Sequence, residues 1–274
     1  MYSNLLTIYK DKIVIEPIEY DTNKYYYFYG EDSKIFGIEK TITLNEYKLI
    51  KSFFLEKQIN YDNTKSENIF KYLFENGKYP FKNKMRFVVV SGILNEEIKS
   101  LIEEIYPSLE TLKIENSTIL FYEEEWNQNI SDIFQTISCD FEKQLFIHEG
   151  LIIDKNIKGE LISHYLGCLN KTNWSVKDYT NIVDLVLNSE TSIINSLLIE
   201  LKTNYIDRIL NRNNNSNIIE VFFKNDLNVS QTAKDLYLNR NSLINKLDTI
   251  SKELGFNVQS FRFASILLVI MSLK

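Results

Sequence analysis

The spacing of hydrophobic residues over the first eighty positions predicts strands followed by helices. The predicted strands are short β-rich runs at 5–9, 12–15, 25–29 and 35–38. Thr43 followed by Glu46 forms a capping-box pattern, which predicts a helix that continues through Phe54. The apolar stripe of this helix is Leu44, Tyr47, Ile50 and Phe54. With a second helix over 67–74, these elements predict an N-terminal α/β module over residues 1–83, which would sense or dimerise.

From Lys84 onward, buried-strand runs alternate with amphipathic helical runs. The predicted strands are 85–90, 112–114, 118–122 and 144–147. The predicted helices are 95–106, 130–137 and 158–169. Hairpin turns are expected at 30–33 in the first module and at 115–117 in this one. The order β-α-β-β-α-β-α predicts a small α/β sandwich over residues 84–171.

Beyond Lys171, apolar residues recur at helical spacing, and we predict helices without further strands. The predicted helices are 175–187 and 189–211. They would form a helical linker over residues 172–216. The polar run 211–217 predicts a loop before an all-α domain over residues 217–274. The whole chain is therefore expected to be an α+β multidomain protein.

Residues 228–247 carry the pattern of a helix-turn-helix. Two apolar stripes at helical spacing flank a break: Val229, Ala233 and Leu236, then Leu243, Leu247 and Ile250. Ala233 supplies the small residue needed where the two helices cross, and Asn239 suits the N-cap of the second helix. The alternative interpretation is a plain helical hairpin in an all-α domain.

Turning the second helix by about 100° per residue leaves a polar face pointing outward. Asn241 and Asn245 are amides that can read adenine edges, and Ile244 can touch a thymine methyl group. Ser242 lies at the flank of these base readers, where a phosphate is also within reach. The predicted DNA-binding residues are Arg240, Asn241, Ser242, Ile244, Asn245, Lys246 and Lys252, with the three basic ones on phosphates. The alternative is that the two asparagines are ordinary surface residues of an Asn-rich chain.

These residues resemble the C-terminal domain of the PucR/CdaR-type transcriptional regulators. The matching positions are Asn228, Thr232-Ala233, Leu236, Arg240-Asn241-Ser242-Leu243, Leu247, Ile250 and Leu254-Gly255. The same core is similar to Fis-type helix-turn-helices. The resemblance implies a bacterial DNA-binding regulator. Asn239 stands where a His is usual and Lys246 where an Arg is usual, which bears on the preferred DNA sequence.

The resemblance also bears on the middle of the chain. In that family the middle domain is a degenerate GGDEF-like fold, and residues 84–171 follow its order of elements. No GGDEF-type catalytic signature occurs in this stretch, so nucleotide cyclisation is not implied. For residues 1–80 the sequence identifies no family.

The net charge of −6 at pH 7 argues by itself against a nucleic-acid partner. From residue 218 onward, however, Lys and Arg outnumber Asp and Glu by seven to five, whereas the preceding residues hold 24 basic and 32 acidic side chains. A mildly basic tail on an acidic body suits a regulator whose body keeps away from DNA. Because the basic excess is small, a protein-interaction scaffold whose helix-turn-helix no longer contacts DNA is the alternative.

Residues that carry chemistry are sparse along the chain. Cys139 and Cys168 have no CxxC spacing, which indicates a reducing compartment and no Cys-based zinc site. His148 and His164 lack an HExxH pattern, and the eight glycines form no phosphate-binding loop. We therefore expect no enzyme, no metal and no cofactor, and an enzyme built on residues 84–171 is disfavoured.

The start of the chain shows no signal-peptide pattern, and the longest apolar stretch, 263–273, is about half of a membrane span. We therefore expect a cytoplasmic protein without a membrane partner. The last helix, 261–273, is apolar nearly all round, so it is either a dimer contact or the central helix of its domain. The expected partners are double-stranded DNA and a second copy of the chain, with a small-molecule or protein effector left open.

Overall fold

The computed structural model describes residues 5, 7–10, 12–15, 24–30, 35–57, 64–92, 94–114, 117–123 and 130–273. The chain divides into two compact units, residues 1–67 and 68–274. The predicted α+β class is confirmed by two sheets and a helical C-terminal region. The predicted division at residues 83, 171 and 216 stays a prediction. Of the turns predicted at 30–33 and 115–117, residues 31–33 and 115–116 lie outside the described residues.

The first unit contains a four-stranded antiparallel sheet and a helix that follows the third strand. In chain order its elements are β1 Ile13–Ile15, β2 Tyr25–Tyr29, β3 Ile35–Glu39, helix α1 Leu44–Phe53 and β4 Glu56–Lys57. The strands lie in the order β1-β3-β2-β4. Its apolar core is Phe28, Phe36, Ile38, Ile50 and Phe54. The strands predicted from β-rich runs therefore supply three of these residues, and α1 with its C-cap supplies Ile50 and Phe54.

Helix α1 begins with the predicted capping box. The Thr43 hydroxyl accepts a hydrogen bond from the Glu46 N–H at 3.3 Å, and the Glu46 carboxylate accepts one from the Thr43 N–H at 2.7 Å. The predicted stripe is wrong at Leu44, which is 66% exposed because the first turn lies beyond the edge of the core.

The strand predicted at 5–9 is also wrong. Leu5, Thr7 and Ile8 are helical, and the Tyr9 N–H donates to Leu5 O at 3.0 Å.

The second unit is built on a five-stranded sheet. Helix α2 Thr64–Phe74 spans the boundary between the units. It is followed by β5 Met85–Ser91, α3 Glu96–Ile105, β6 Glu110–Ile114, β7 Ser117–Tyr122, α4 Ile130–Asp140, β8 Phe146–Ile153, α5 Gly159–Asn170 and β9 Tyr179–Asn181. The strands lie in the order β6-β7-β5-β8-β9, and among the described residues the β8–β9 pair is parallel and the other pairs are antiparallel.

Strand β5 is the centre of this sheet because its MRFVVV run is apolar on both faces. On one face Val88 and Val90 pack with residues of α3 and α4, including Ile98, Ile102 and Phe134. On the other face the Phe87 ring meets Tyr165 of α5 edge-on, with centroids 5.4 Å apart. The sheet is therefore covered by helices on both faces, in the predicted order of elements.

The prediction of no strand beyond Lys171 is wrong. A 3₁₀ turn, Trp174–Val176, is followed by β9, where a helix over 175–187 was expected. Residues 179–181 pair with residues 147–149 of β8, and this tertiary pairing overrides the local pattern. The helical spacing belongs to the next helix, which begins at Ile182 behind a capping box of Asn181 and Asp184.

The remaining chain is helical. Its elements are α6 Ile182–Asn188, α7 Thr191–Leu201, a π-helical turn Lys202–Ile206, α8 Asp207–Leu210, α9 Asn215–Lys224, α10 Val229–Asp235, α11 Arg240–Leu254 and α12 Phe261–Ser272. The loop predicted at 211–217 is shorter than expected, because Asn215 already begins α9. None of the helices among the described residues has the length and apolar character needed to cross a membrane.

His148 lies in the core of the second unit, between β9 and α5. Its Nδ1 is 2.9 Å from the Thr180 hydroxyl and its Nε2 is 2.9 Å from the Tyr165 hydroxyl. Burial lowers the pKa of His148 from 6.5 to about 3, against a weaker opposite effect of Asp184. The imidazole is therefore neutral in the folded protein at neutral pH, and both of its nitrogens have a hydroxyl partner.

This burial predicts a specific acid sensitivity. Between pH 6.5 and about 3 the unfolded chain carries a proton on His148 and the folded chain does not. Because the unfolded state binds more protons, the free energy of unfolding falls as the pH falls through this window. The contribution of His148 to this pH slope of the free energy of unfolding approaches about 1.4 kcal/mol per pH unit. Urea denaturation of the wild type and of His148→Gln at several pH values in this window should show a shallower pH slope in the variant. Equal pH slopes in the wild type and in His148→Gln would contradict this role of His148.

Candidate nucleic-acid interface

Local hydrogen bonds donated by backbone N–H groups define both ends of helix α10. The Asn228 side chain accepts from the Gln231 N–H at 3.0 Å and so caps the helix. At the other end the Leu238 N–H donates to Ala233 O at 2.8 Å across Tyr237, whose φ is 54°. This is the left-handed helix end that usually carries Gly. Tyr237 is 97% exposed, so the turn points its ring away from the core.

Asn239 is the N-cap of α11, as predicted. Its side-chain oxygen accepts from the Ser242 N–H at 2.7 Å. The helix runs for 15 residues to Leu254, and its C-cap is Gly255, whose φ of 78° is a left-handed conformation. The predicted turn between two capped helices is therefore present, and the second helix is the longer one.

The inward face of α11 is the one that helical spacing predicts. Leu243, Leu247 and Ile250 are 0% exposed, and Ala233 of α10 is 4% exposed. Thr232 was not predicted as a core residue, but it is fully buried and its hydroxyl lies 3.4 Å from the Asn225 amide nitrogen. The pair Thr232-Ala233 was visible in the sequence, and only the Ala was given a packing role. The burial of these aliphatic residues fixes which face of α11 remains outward.

The structure places all seven predicted DNA-binding residues on α11. Five are exposed and two, Ser242 and Ile244, are half-buried; the exposed ones are Arg240, Asn241, Asn245, Lys246 and Lys252. Across the described part of the chain, none of the seven side chains is held by a hydrogen bond or an ion pair. Asp248 shares this face, but its carboxylate accepts from the Gln259 amide at 2.9 Å. The polar face is therefore available to an external partner.

Helix α10 carries one basic residue, Lys234, that the sequence analysis did not consider. Lys234 is exposed, and it belongs to the short helix that precedes the turn. The neighbouring Asp235 is engaged internally, because its carboxylate accepts from the Gln231 and Asn225 amides at 2.8 Å each. The first helix of a helix-turn-helix crosses the DNA backbone, and this geometry could have indicated Lys234.

The two ends of α11 have different surroundings. At the C-terminal end, Gly255 O accepts a hydrogen bond at 2.6 Å from Arg86 of the sheet. Asn241 is fourteen residues away, which is about 20 Å along a helix. The N-terminal half of α11, which carries the amides, is thus well separated from the end that rests on the sheet.

Comparison with known proteins identifies this region. Residues 217–272 match the family model of the PucR C-terminal helix-turn-helix domain. The predicted resemblance is therefore confirmed for the C-terminal domain. A search of curated proteins finds no significant match. Among solved structures the chain is similar to the regulator of polyketide synthase expression from Bifidobacterium adolescentis, with 12% identity over 78% of this chain and 94% of that one, at a TM-score of 0.38.

The Asn239 cap can be tested separately from DNA binding. Replacing it in Asn239→Ala should cost about 1 kcal/mol locally, because the Ser242 N–H loses its acceptor. Amide exchange in the first turn of α11 should therefore accelerate about fivefold. The matched control is Asn241→Ala, two positions later and exposed, which should leave that exchange unchanged. Exchange that is equally fast in both variants would show that Asn239 is not the cap.

Proposed function

We propose, on the premise of a PucR-type helix-turn-helix domain over residues 217–272, that this chain is a transcriptional regulator that reads the DNA major groove with α11. The observation that carries the proposal is the orientation of α11. Leu243, Leu247 and Ile250 are fully buried, while Asn241 and Asn245 face outward. A groove can therefore be entered without disturbing the core. We place this action in the bacterial cytoplasm.

Base recognition falls to the amide-bearing part of the helix. Asn241 and Asn245 are one helical turn apart and share a face, at a separation of about 6 Å. Each amide can bond bidentately to an adenine, and the half-buried Ile244 beside them presents an apolar surface to a thymine methyl. Ser242 lies in the first turn, where recognition helices contact base edges. This face therefore favours a site that contains A·T pairs.

Phosphate contacts fall to the basic residues around that face. Arg240, Lys246 and Lys252 are exposed on α11, and Lys234 is exposed on α10. Helix α10 and the flanks of α11 run beside the backbone of the duplex when α11 occupies the groove. The small excess of positive charge beyond residue 218 implies a modest non-specific affinity. Sequence-specific contacts then have to supply much of the affinity.

The protein acts as a homodimer through α12 in this proposal. One side of α12 belongs to the domain core, where Ala264, Leu267 and Ile270 are buried. The other side exposes Phe261, Leu268 and Val269 to 76%, 50% and 48%. The two interpretations drawn from the sequence, a dimer contact and the central helix of its domain, are thus both compatible with the packing of α12. A two-fold contact between exposed faces would present two copies of α11 to half-sites about 34 Å apart.

We also infer that the chain acts by binding rather than by catalysis. The described residues include one arrangement that resembles a catalytic set: His164 Nδ1 lies 2.6 Å from Glu200, and its Nε2 lies 3.3 Å from the Ser196 hydroxyl. Ser196 lies inside α7, where the neighbouring N–H groups bond within the helix. These groups cannot stabilise an oxyanion, so the arrangement lacks the element that contributes most to acyl transfer.

Base reading is tested by Asn245→Ala on a duplex selected by the protein. The variant should lose about 1–3 kcal/mol of affinity for that duplex and little for random DNA, because only the base contact is removed. The comparison variant Lys246→Ala should weaken both duplexes alike and reduce the salt slope by about one. Titrations by fluorescence anisotropy at several salt concentrations measure both effects.

The control is Asn195→Ala, an exposed asparagine of α7 that should bind both duplexes as the wild type does. An equal loss on selected and random DNA for Asn245→Ala refutes the base-reading role. If the folded wild type binds no duplex at about 50 mM salt but forms a stable complex with another protein, the scaffold alternative is favoured instead.

Dimerisation through α12 is tested by Leu268→Asp. A charge buried in an apolar interface without a partner is costly, so the variant should be monomeric at concentrations where the wild type is dimeric. Leu44→Asp is the matched control, since Leu44 is an exposed leucine of α1 in the first unit. Light scattering coupled to size exclusion gives the masses. A dimer that persists in Leu268→Asp would rule out α12 as the interface.

A further inference from the structure

The C-terminal end of the recognition helix α11 is capped by residues from outside the helix-turn-helix domain. The last carbonyls of a helix have no partner within it. Here the Leu254 carbonyl accepts from the Tyr205 hydroxyl at 3.1 Å, and the Gly255 carbonyl accepts from Arg86 Nη2 at 2.6 Å. Tyr205 and Arg86 lie before residue 217, so the two bonds connect the DNA-binding domain to the rest of its unit.

Arg86 is firmly attached to the sheet. It lies on the central strand β5 and is 2% exposed. Its Nη1 donates to Gly150 O at 2.8 Å and pairs with Glu149 Oε1 at 3.0 Å. The second oxygen of Glu149 accepts from the Tyr179 hydroxyl of β9. The guanidinium is thus fixed by β8 and its neighbours, and its positive charge lies at the favourable end of the α11 dipole.

Tyr205 reaches the same helix end from the π-helical turn Lys202–Ile206. It is 1% exposed, and burial raises the pKa of its phenol well above the usual value, so the hydroxyl remains a donor. Single π-helical turns inside α-helical segments are rare and are frequent at functional sites. Through Tyr205 this turn supplies a second cap on the same helix end, independent of Arg86.

The junction combines directed bonds, buried side chains and a cavity. A cavity of about 180 Å³ lies between the sheet side, with Arg86 and Glu149, and the helix side, with Gly255, Phe256 and Phe263. Gly255 allows the close approach, because a Cβ at this position would lie 3.0 Å from an Ile152 side-chain carbon. The two polar caps add directed bonds to this contact and so help to determine the position of the helix end.

We propose that Arg86 and Tyr205 are positioning residues that fix the end of α11 to the α/β sheet, so that DNA binding and the conformation of the sheet are energetically coupled. A helix of 15 residues is a rigid element, and its other end carries the proposed DNA contacts. Coupling is reciprocal, so a change that stabilises the sheet alters DNA affinity, and DNA binding stabilises the sheet. This inference rests on the proposed DNA-binding function.

The test is hydrogen exchange of the full chain with and without a duplex selected by the protein. In the wild type the duplex should slow exchange in α11 and also in β5 and β8, by about fivefold or more. Tyr205→Phe keeps the buried ring and removes only the hydroxyl, and Arg86→Lys keeps the charge and removes the forked geometry. In both variants the duplex should still protect α11, while protection of the two strands falls markedly.

Tyr72→Phe is the matched control for the loss of a buried hydroxyl. Tyr72 donates to Ile157 O at 2.8 Å, and neither residue belongs to the junction. This variant should keep strand protection. Unchanged strand protection in Tyr205→Phe and in Arg86→Lys, or its absence in a wild type whose α11 is protected, overturns the inference. A wild type whose α11 gains no protection contradicts the DNA-binding function itself. If Arg86→Lys fails to fold, Tyr205→Phe decides alone.

Discussion

The structure of the DNA-binding domain depends on the burial of one aliphatic stripe. Leu243, Leu247 and Ile250 are fully removed from water, and Ala233 provides the small surface on which α11 crosses α10. Burial of three such side chains is worth several kcal/mol, about 1.5–3 for each. The rotation of α11 about its axis is thereby fixed. That rotation places Asn241 and Asn245 on the outward face.

Much of this arrangement could be predicted from the sequence because the signals are local. The predicted cap Asn239 and the period of the apolar residues lie within 25 residues of one another, and a short-range hydrogen bond forms the cap. The capping box at Thr43 and the buried run of β5 were predictable for the same reason. In each of these places local propensity and tertiary packing agree.

The sequence predictions fail where contacts between residues distant in the chain determine the local structure. Strand β9 exists because residues 179–181 pair with β8, some thirty residues earlier in the chain. Strand β8 extends to Ile153 through His148 and Gly150, which look unlike strand residues. His148 has buried hydroxyl partners, and a Cβ at Gly150 would lie 2.1 Å from the Phe87 ring. The cap of Arg86 on Gly255 spans 169 positions, and no local pattern indicates it.

The central claim is that the outward face of α11 reads DNA sequence. Its most direct test is selection of bound fragments from random duplex DNA by the purified full chain at about 50 mM salt. The account predicts an enriched pair of A·T-containing half-sites related by two-fold symmetry. A pool that stays random after repeated selection, with protein that is demonstrably folded, would contradict it.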